Sequence, residues 1–214
     1  SDIFLQQGER MKRKGAYVDL RNEEGGESTT NMADYYFFRD GFTDEEIERI
    51  KKIAMTYPAE VAGTGENETA SHEDSVRKST VRWMHDNERK LDWVFQKLFD
   101  MTNEANDHLW NFNLSHAEES LQYTEYPAGG GHYDWHIDCG HGIQAQRKIS
   151  ITVQLNDDYE GGELELWRGQ NPVAALKKRG TVVIFPSYML HRVTPVTKGT
   201  RNSLVLWMGG DHYR

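Results

Sequence analysis

One histidine and one aspartate are spaced so that a single metal ion could bind both. His136 and Asp138 lie two residues apart in a segment with the character of a strand, and side chains two apart on a strand leave the same face. His191, far along the chain, is the best candidate for a third ligand. Two imidazoles and one carboxylate on one face of an octahedron leave three adjacent positions open, which is typical of non-heme Fe(II) centres.

A second pair of the same kind precedes the first. His132 and Asp134 are also two residues apart and are in phase with His136 and Asp138. All four side chains would share one face of a regular strand. Spacing alone therefore does not choose between the two pairs.

A basic residue follows the third candidate ligand. Arg201 lies ten residues after His191, and the residues between them include Pro195 and Lys198-Gly199, which favour a turn and an antiparallel return. On the returning strand, the period of two places these side chains on one face: Arg201, Ser203, Val205 and Trp207. A guanidinium beside a hydroxyl suits a small carboxylate. A zinc hydrolase with the same ligands is an alternative, but it gives Arg201 no task.

Several spaced motifs together resemble a known family. They are Tyr126-Pro127, His136-x-Asp138, Tyr159-Glu160-Gly161-Gly162-Glu163-Leu164, Phe185-Pro186-Ser187, His191-x-Val193-x-Pro195-Val196 and Gly199-x-Arg201. This series is similar to the 2-oxoglutarate- and Fe(II)-dependent dioxygenases, and most similar to their prolyl 4-hydroxylase-like branch with the PKHD-type hydroxylases. The resemblance covers roughly residues 110–209.

The resemblance implies roles for individual residues. His136, Asp138 and His191 would bind iron. The ten-residue interval from Tyr126 to His136 matches the family pattern and favours His136 and Asp138 over His132 and Asp134. Arg201 would bind the distal carboxylate of 2-oxoglutarate. The remaining implied contacts to the co-substrate are Ser203 and Tyr126, while Gln154 stands where relatives often have a further tyrosine. The implied cofactors are Fe(II), 2-oxoglutarate and O2, with ascorbate as a candidate reductant, and no catalytic residue is expected beyond the metal centre.

Upstream residues are candidates for a substrate groove. Arg77, Arg82 and Trp83 either line a groove beyond the iron or form an ordinary edge strand. The preceding stretch, 58–75, is long and polar and has no clear period, so we expect a loop that is either a lid or a passive segment. A lid over 63–75 would close on an extended peptide.

Composition limits the class of protein and its partners. A chain of 214 residues is expected to form one domain over 1–214, with 1–31 as a flexible lead-in and 110–209 as the core. The net charge of −9 argues against nucleic acid as a partner. No apolar run is long enough to span a bilayer. The lone Cys139 excludes an internal disulfide and fits a reducing, cytoplasmic compartment.

Helical patterns precede strand patterns along the chain. A capping box at Thr43–Glu46 begins a helix expected over 44–56, and a second is expected over 87–106. Short apolar segments punctuated by Gly, Pro, Asn and Asp then predict eight strands: 110–114, 120–126, 135–138, 149–155, 162–167, 181–185, 191–193 and 201–208. This order predicts a mainly β, α+β fold, a jelly roll of the cupin kind with supporting N-terminal helices. The resemblance implies the same double-stranded β-helix.

Three functions are consistent with these observations. The leading expectation is a dioxygenase that hydroxylates an unactivated C–H bond of a peptidyl residue such as proline and releases succinate and CO2. The same oxidation of a free amino acid or small metabolite is the second. The third is a jelly-roll sensor module that binds metal without catalysis. Partners are accordingly a peptide, a protein or a small molecule, and the sequence leaves the oligomeric state open.

Overall fold

The fold consists of two antiparallel sheets and two helices. The computed structural model describes residues 16–18, 35–63, 74–85, 89–117, 119–167 and 171–211. The helices are α1 (Asp44–Ala54) and α2 (Asp92–Leu109), and a 3₁₀ helix spans Gly142–Gln146. The strands of the described residues are β1 (Ala16–Val18), β2 (Tyr35–Phe38), β3 (Glu60–Val61), β4 (Arg77–Lys78), β5 (Thr80–Met84), β6 (Leu114–His116), β7 (Leu121–Pro127), β8 (Gly131–His136), β9 (Arg147–Gln154), β10 (Glu160–Gly161), β11 (Leu164–Trp167), β12 (Pro172–Ala174), β13 (Val182–Pro186), β14 (Leu190–Lys198) and β15 (Thr200–Gly210).

The strands divide between a larger and a smaller sheet. The larger has the order β1-β2-β13-β9-β15-β7-β5-β3, with β6 beside β15. The smaller has the order β12-β11-β14-β8-β4, with β10 beside β14. Apolar side chains of both sheets form one buried cluster that includes Phe185 of the larger sheet and Val196 of the smaller, so the sheets pack face to face. The predicted double-stranded β-helix is confirmed.

Both helices cover the outer face of the larger sheet. In α1 the backbone N–H of Glu46 donates to Thr43 Oγ1 at 3.2 Å, and Thr43 N–H donates to Glu46 Oε2 at 2.9 Å, which is the predicted capping box. Ile47 and Ile50 are buried against strand residues such as Ile151. The two helices therefore support the β-sheets, as predicted from the order of helical and strand patterns.

Helix α2 begins five residues later than predicted. Arg89 has φ of 57°, in the left-handed region that interrupts a right-handed helix, and the first helical residue is Asp92. At the other end α2 continues past the predicted end at 106 to Leu109, and residues 110–113 of the predicted strand 110–114 are not a strand. The Asn106 side chain donates to the carbonyl of Phe112 and accepts from its N–H, both at 2.9 Å, so this segment turns before β6 starts.

Strand β2 was missed because its pattern does not alternate. All four of its residues, Tyr35–Phe38, are buried, as is typical of a strand covered on both faces. It pairs with β1, which lies in the expected lead-in. The rest of 1–31 and the central part of the proposed lid, 64–73, lie outside the described residues. The single domain over 1–214 stays a prediction.

The connection between His191 and Arg201 differs from the predicted hairpin. The turn is present at Gly199, where φ is 74° and glycine is favoured. However, β14 belongs to the smaller sheet and β15 to the larger. The chain therefore crosses between sheets at Gly199, and the two strands bring their side chains together from opposite sides of the core.

Within the described residues, no helix is both long and apolar enough to cross a membrane.

Candidate metal centre and co-substrate site

Two neighbouring strands of the smaller sheet bring three candidate ligands together. His136 ends β8, Asp138 follows it, and His191 of β14 pairs with His136 across the sheet. Asp138 Oδ1 lies 3.5 Å from His136 Nε2 and 3.6 Å from His191 Nε2. All three ligand atoms lie within 4.8 Å of one another. Among the described residues this is the one group of three metal-binding side chains.

Backbone carbonyls orient both imidazoles. His136 Nδ1 lies 2.7 Å from the carbonyl of Asp134, and His191 Nδ1 lies 2.8 Å from that of Met189. A carbonyl only accepts, so each Nδ1 carries the proton and each Nε2 lone pair is free for a metal. Burial lowers the pKa of His191 to about 4, although Asp138 opposes the shift. His191 is therefore neutral at neutral pH, as a metal ligand must be.

The two oxygens of Asp138 have different partners. Oδ1 faces the imidazoles, whereas Oδ2 accepts a hydrogen bond of 2.6 Å from Ser150 Oγ, which lies 3.0 Å from Ser187 Oγ. Burial raises the pKa of the Asp138 carboxyl, but His191, His136 and Ser150 outweigh burial and hold it well below its usual range. The carboxylate is thus ionised and held so that one oxygen faces the ligand cluster.

The alternative pair, His132 and Asp134, does not join this cluster. Both nitrogens of His132 face backbone carbonyls, those of Gly130 and Ser75, and Asp134 is exposed. Register shifts in the pairing of β8 with β14 break the regular alternation that would have placed both pairs on one face.

Arg201 is a buried cation without a carboxylate partner among the described residues. Its exposed fraction is 1%. Nη2 donates to Gln154 Oε1 at 3.0 Å and Nη1 to Ser203 Oγ at 3.3 Å, while the guanidinium carbon lies 5.3 Å from the centroid of the Tyr126 ring. Nε is buried without a hydrogen-bond partner. A buried guanidinium in this state favours an anionic ligand.

The ligands and Arg201 line one open cavity of about 770 Å³, its mouth included. The predicted face of β15 is present, since Arg201, Ser203, Val205 and Trp207 all contribute to the wall. Tyr126, Arg77 and Trp83 line it too. The structure thus brings together eight of the nine predicted site residues: His136, Asp138, His191, Arg201, Ser203, Tyr126, Arg77 and Trp83.

Arg82 is the exception and does not line the cavity. It alternates with Trp83 on β5 and points away from the cavity, where Nη1 donates to the carbonyl of Tyr57 at 2.5 Å and Nε lies 3.6 Å from Glu125 Oε2. The groove prediction is corrected for this residue because side chains one apart on a strand leave opposite faces.

Sequence reasoning missed several residues around the site. Arg147 donates to the carbonyl of Asp138 at 3.1 Å, pairs with Glu119 through Nε at 2.6 Å, and stacks on Trp207 at 3.8 Å. The buried Tyr159 hydroxyl has a pKa raised by burial and partly lowered again by the nearby Arg201 guanidinium. No pattern in the sequence marked Arg147, and Tyr159 was noted only as the first residue of a motif that carries the resemblance.

A signal for three other residues was present on β9. Ser150, Thr152 and Gln154 alternate with apolar residues and are all buried. Ser150 donates to Asp138, Thr152 lines the cavity and Gln154 accepts from Arg201. The buried polar face of this strand therefore connects the metal ligands with the anion site.

The cavity fits Fe(II) and a dicarboxylate. The donor set of two Nε2 atoms and one carboxylate oxygen is the facial arrangement that non-heme Fe(II) oxygenases use. Arg201 supplies a bidentate partner for a carboxylate. Fold and site together define the class, a double-stranded β-helix with the ligand set of a non-heme iron oxygenase.

Comparison with known proteins agrees with this class. Residues 121–209 match the family described as the 2OG-Fe(II) oxygenase superfamily, and the predicted resemblance to the 2-oxoglutarate- and Fe(II)-dependent, PKHD-like oxygenases is confirmed. A PKHD-type hydroxylase of Hyphomonas neptunium is 36% identical over 102 residues, covering 44% of this chain and 45% of that hydroxylase. The chain thus spans about half the length, or less, of the curated relatives it matches.

Solved structures share the fold at low identity. A prolyl hydroxylase from Trichoplax adhaerens, in complex with a peptide fragment of the hypoxia inducible factor oxygen degradation domain, has a TM-score of 0.67 at 17% identity and covers 82% of this chain and 83% of its own. A Pseudomonas putida prolyl-4-hydroxylase has a TM-score of 0.64 at 18% identity and covers 83% and 93%. At such identities the likeness concerns the fold.

Proposed function

We propose that the protein is an Fe(II)- and 2-oxoglutarate-dependent dioxygenase that hydroxylates an unactivated C–H bond of a peptidyl residue such as proline. The carrying observation is that one cavity holds both the three-ligand cluster and the buried Arg201. The balanced reaction converts substrate C–H, O2 and 2-oxoglutarate into the alcohol, succinate and CO2. When bound, the iron and 2-oxoglutarate supply the activation of O2 and its reducing electrons.

The residues of the chain bind and orient these reactants. His136, Asp138 and His191 would hold the metal through two imidazole nitrogens and one carboxylate oxygen. Arg201 and Ser203 would receive the distal carboxylate, and Gln154 fixes the guanidinium on one side. The Tyr126 ring packs against the same guanidinium. In a low-dielectric cavity such charge-assisted bonds are strong, so the co-substrate is positioned before the reaction.

Two arguments support a peptidyl target. The cavity is open to solvent and Trp83 and Gly63 are among its lining residues, so one residue of a longer chain could enter it. In addition, the structurally similar Trichoplax adhaerens protein is named as a prolyl hydroxylase with a bound peptide. A free amino acid or small metabolite is the second substrate class to be tested.

The test is 2-oxoglutarate turnover by the purified chain with Fe(II), O2 and ascorbate. Succinate is measured by mass spectrometry against a panel of proline-containing peptides and free amino acids, and a mass increase of one oxygen identifies the substrate. His136→Ala should lose iron binding and succinate formation, while His132→Ala is the matched control and should keep both. Full iron stoichiometry in His136→Ala, or its loss in His132→Ala, would refute the metal assignment.

A further inference from the structure

A second buried arginine faces the metal side of the cavity. Arg77 has an exposed fraction of 8%. Nε donates to Ser79 Oγ at 3.0 Å and Nη1 to the carbonyl of Gly63 at 3.3 Å. No carboxylate of the described residues pairs with it, and Nη2 makes no hydrogen bond to them. A guanidinium removed from water without a counter-charge is costly, so this site favours an anion.

Arg77 enters the cavity from the sheet that carries the two histidines, not from the sheet that carries Arg201. Its guanidinium carbon lies 4.4 Å from the centroid of the Tyr133 ring, and that ring stacks on His136 with centroids 3.5 Å apart. The Tyr133 ring thus contacts both the Arg77 guanidinium and the His136 imidazole. Arg77 belongs to β4 of the smaller sheet, whereas Arg201 belongs to β15 of the larger.

The charges of the cavity leave Arg77 unmatched. Among the described residues, the charged residues other than histidine that line it are Asp138 and three arginines, Arg77, Arg147 and Arg201, although the chain as a whole carries −9. Arg147 is neutralised by Glu119. If Fe(II) and 2-oxoglutarate bind as proposed, the two positive charges of iron and that of Arg201 equal the negative charges of Asp138 and the co-substrate. Arg77 is then the remaining cation among the described residues that line the cavity.

We propose that Arg77 binds a carboxylate of the primary substrate and thereby selects an acidic target. This rests on the function proposed above and specifies its substrate class. Trp83 and Trp207, with ring centroids 6.4 Å apart, form an aromatic wall for the rest of the target. Two sources supply the same chemistry, a terminal carboxylate next to the reacting residue or an acidic side chain beside it in a peptide.

Binding is measured without turnover, so that its outcome is independent of catalysis. The full chain is loaded with Zn(II) and saturated with N-oxalylglycine, an unreactive analogue that occupies the Arg201 site. One arm titrates acetyl-proline against acetyl-prolinamide. The other titrates acetyl-Pro-Asp-amide against acetyl-Pro-Asn-amide. Calorimetry gives Kd, and the fluorescence of the cavity tryptophans reports occupancy.

Arg77→Gln is compared with Arg82→Gln, a control that removes an arginine of β5, the next strand along the chain, whose side chain points away from the cavity. We expect the acid of at least one pair to bind about tenfold or more tightly than its amide. This preference should disappear in Arg77→Gln, persist in Arg82→Gln and recover in part in Arg77→Lys. The pair that responds identifies the source of the carboxylate.

Equal binding of acid and amide to the unaltered chain, no binding by any probe, or an acid preference that survives in Arg77→Gln would overturn the proposal. Succinate formation by the Fe(II)-loaded chain is measured separately. Acid binding without succinate formation would contradict the dioxygenase function while leaving the Arg77 site in place. Succinate formation with no acid preference would support the dioxygenase function and contradict the Arg77 site.

Discussion

Removing the hydroxyl of Ser150 should weaken metal binding although this residue is not itself a ligand. Ser150 Oγ donates to Asp138 Oδ2 at 2.6 Å, while Oδ1 faces both imidazoles. Hydrogen bonds to charged groups contribute about 1.5–3 kcal/mol, and a tenfold change in affinity corresponds to about 1.4 kcal/mol. Ser150→Ala should therefore raise the Kd for a divalent metal by about 10- to 100-fold, the usual range for groups that orient a ligand.

The assay is a competition between the protein and a chelator for Co(II), which tolerates air better than Fe(II). Ser150→Thr keeps a hydroxyl and should retain most of the affinity. Thr152→Val removes a hydroxyl from the same face of β9 that makes no hydrogen bond to Asp138, and it is the matched control. Because Ser187 Oγ lies 3.0 Å from Ser150 Oγ, Ser150→Ala/Ser187→Ala tests whether Ser187 compensates.

A Kd for Ser150→Ala within twofold of the unaltered chain, with an unchanged melting temperature, would show that Asp138 needs no such support. An equal loss in Thr152→Val would attribute the effect to general disturbance of β9. Only a loss specific to position 150 supports the positioning role.

Two further predictions concern the anion site and alkaline stability. Arg201→Ala should raise the Kd for 2-oxoglutarate by about tenfold to a thousandfold, because at least one charge-assisted pair is lost. The Kd is measured by calorimetry on the metal-loaded protein, and metal binding should persist. An unchanged Kd would contradict the co-substrate assignment. Burial, aided by Glu125, raises the pKa of Tyr123 to about 12, so its contribution to stability is complete below pH 10, the unfolded value, and is lost as pH rises to about 12. The unfolding free energy, measured with urea, should therefore fall between pH 10 and pH 12 by up to about 2–3 kcal/mol less in Tyr123→Phe than in the unaltered chain. An equal fall in both proteins would refute this.

The sequence predicted those elements whose patterns reflect a single buried face. Helix α1 has a capping box and one apolar stripe, and β15 alternates with the cavity side on one face, so both were found. Strand β2 is buried on both faces, and nothing local distinguishes such a run. The sheet membership of β14 and β15 depends on pairing partners far along the chain, so a turn at Gly199 could not reveal it.

The candidate site was predictable where chemistry is concentrated in residue type. Histidine, aspartate and arginine at regular spacings indicated the metal ligands and Arg201. The positions of these side chains in space were harder to predict from the sequence, because a bulge in β8 decided between His132 and His136. Arg147 gave no signal, since its importance comes from Glu119, Trp207 and the carbonyl of Asp138, which no local pattern brings to it.

The site depends on how the two sheets pack, because each sheet supplies a different part. The smaller sheet carries His136 and His191, and the larger carries Arg201 and, through Ser150, the support of Asp138. Phe185 of β13 meets His191 across the core with ring centroids 4.8 Å apart, so the distance between metal and anion sites follows from side-chain packing rather than from one strand. Since close-packed interiors transmit small displacements, loss of volume at Phe185 should disturb metal and co-substrate binding together, whereas the changes at Ser150 and Arg201 each affect one.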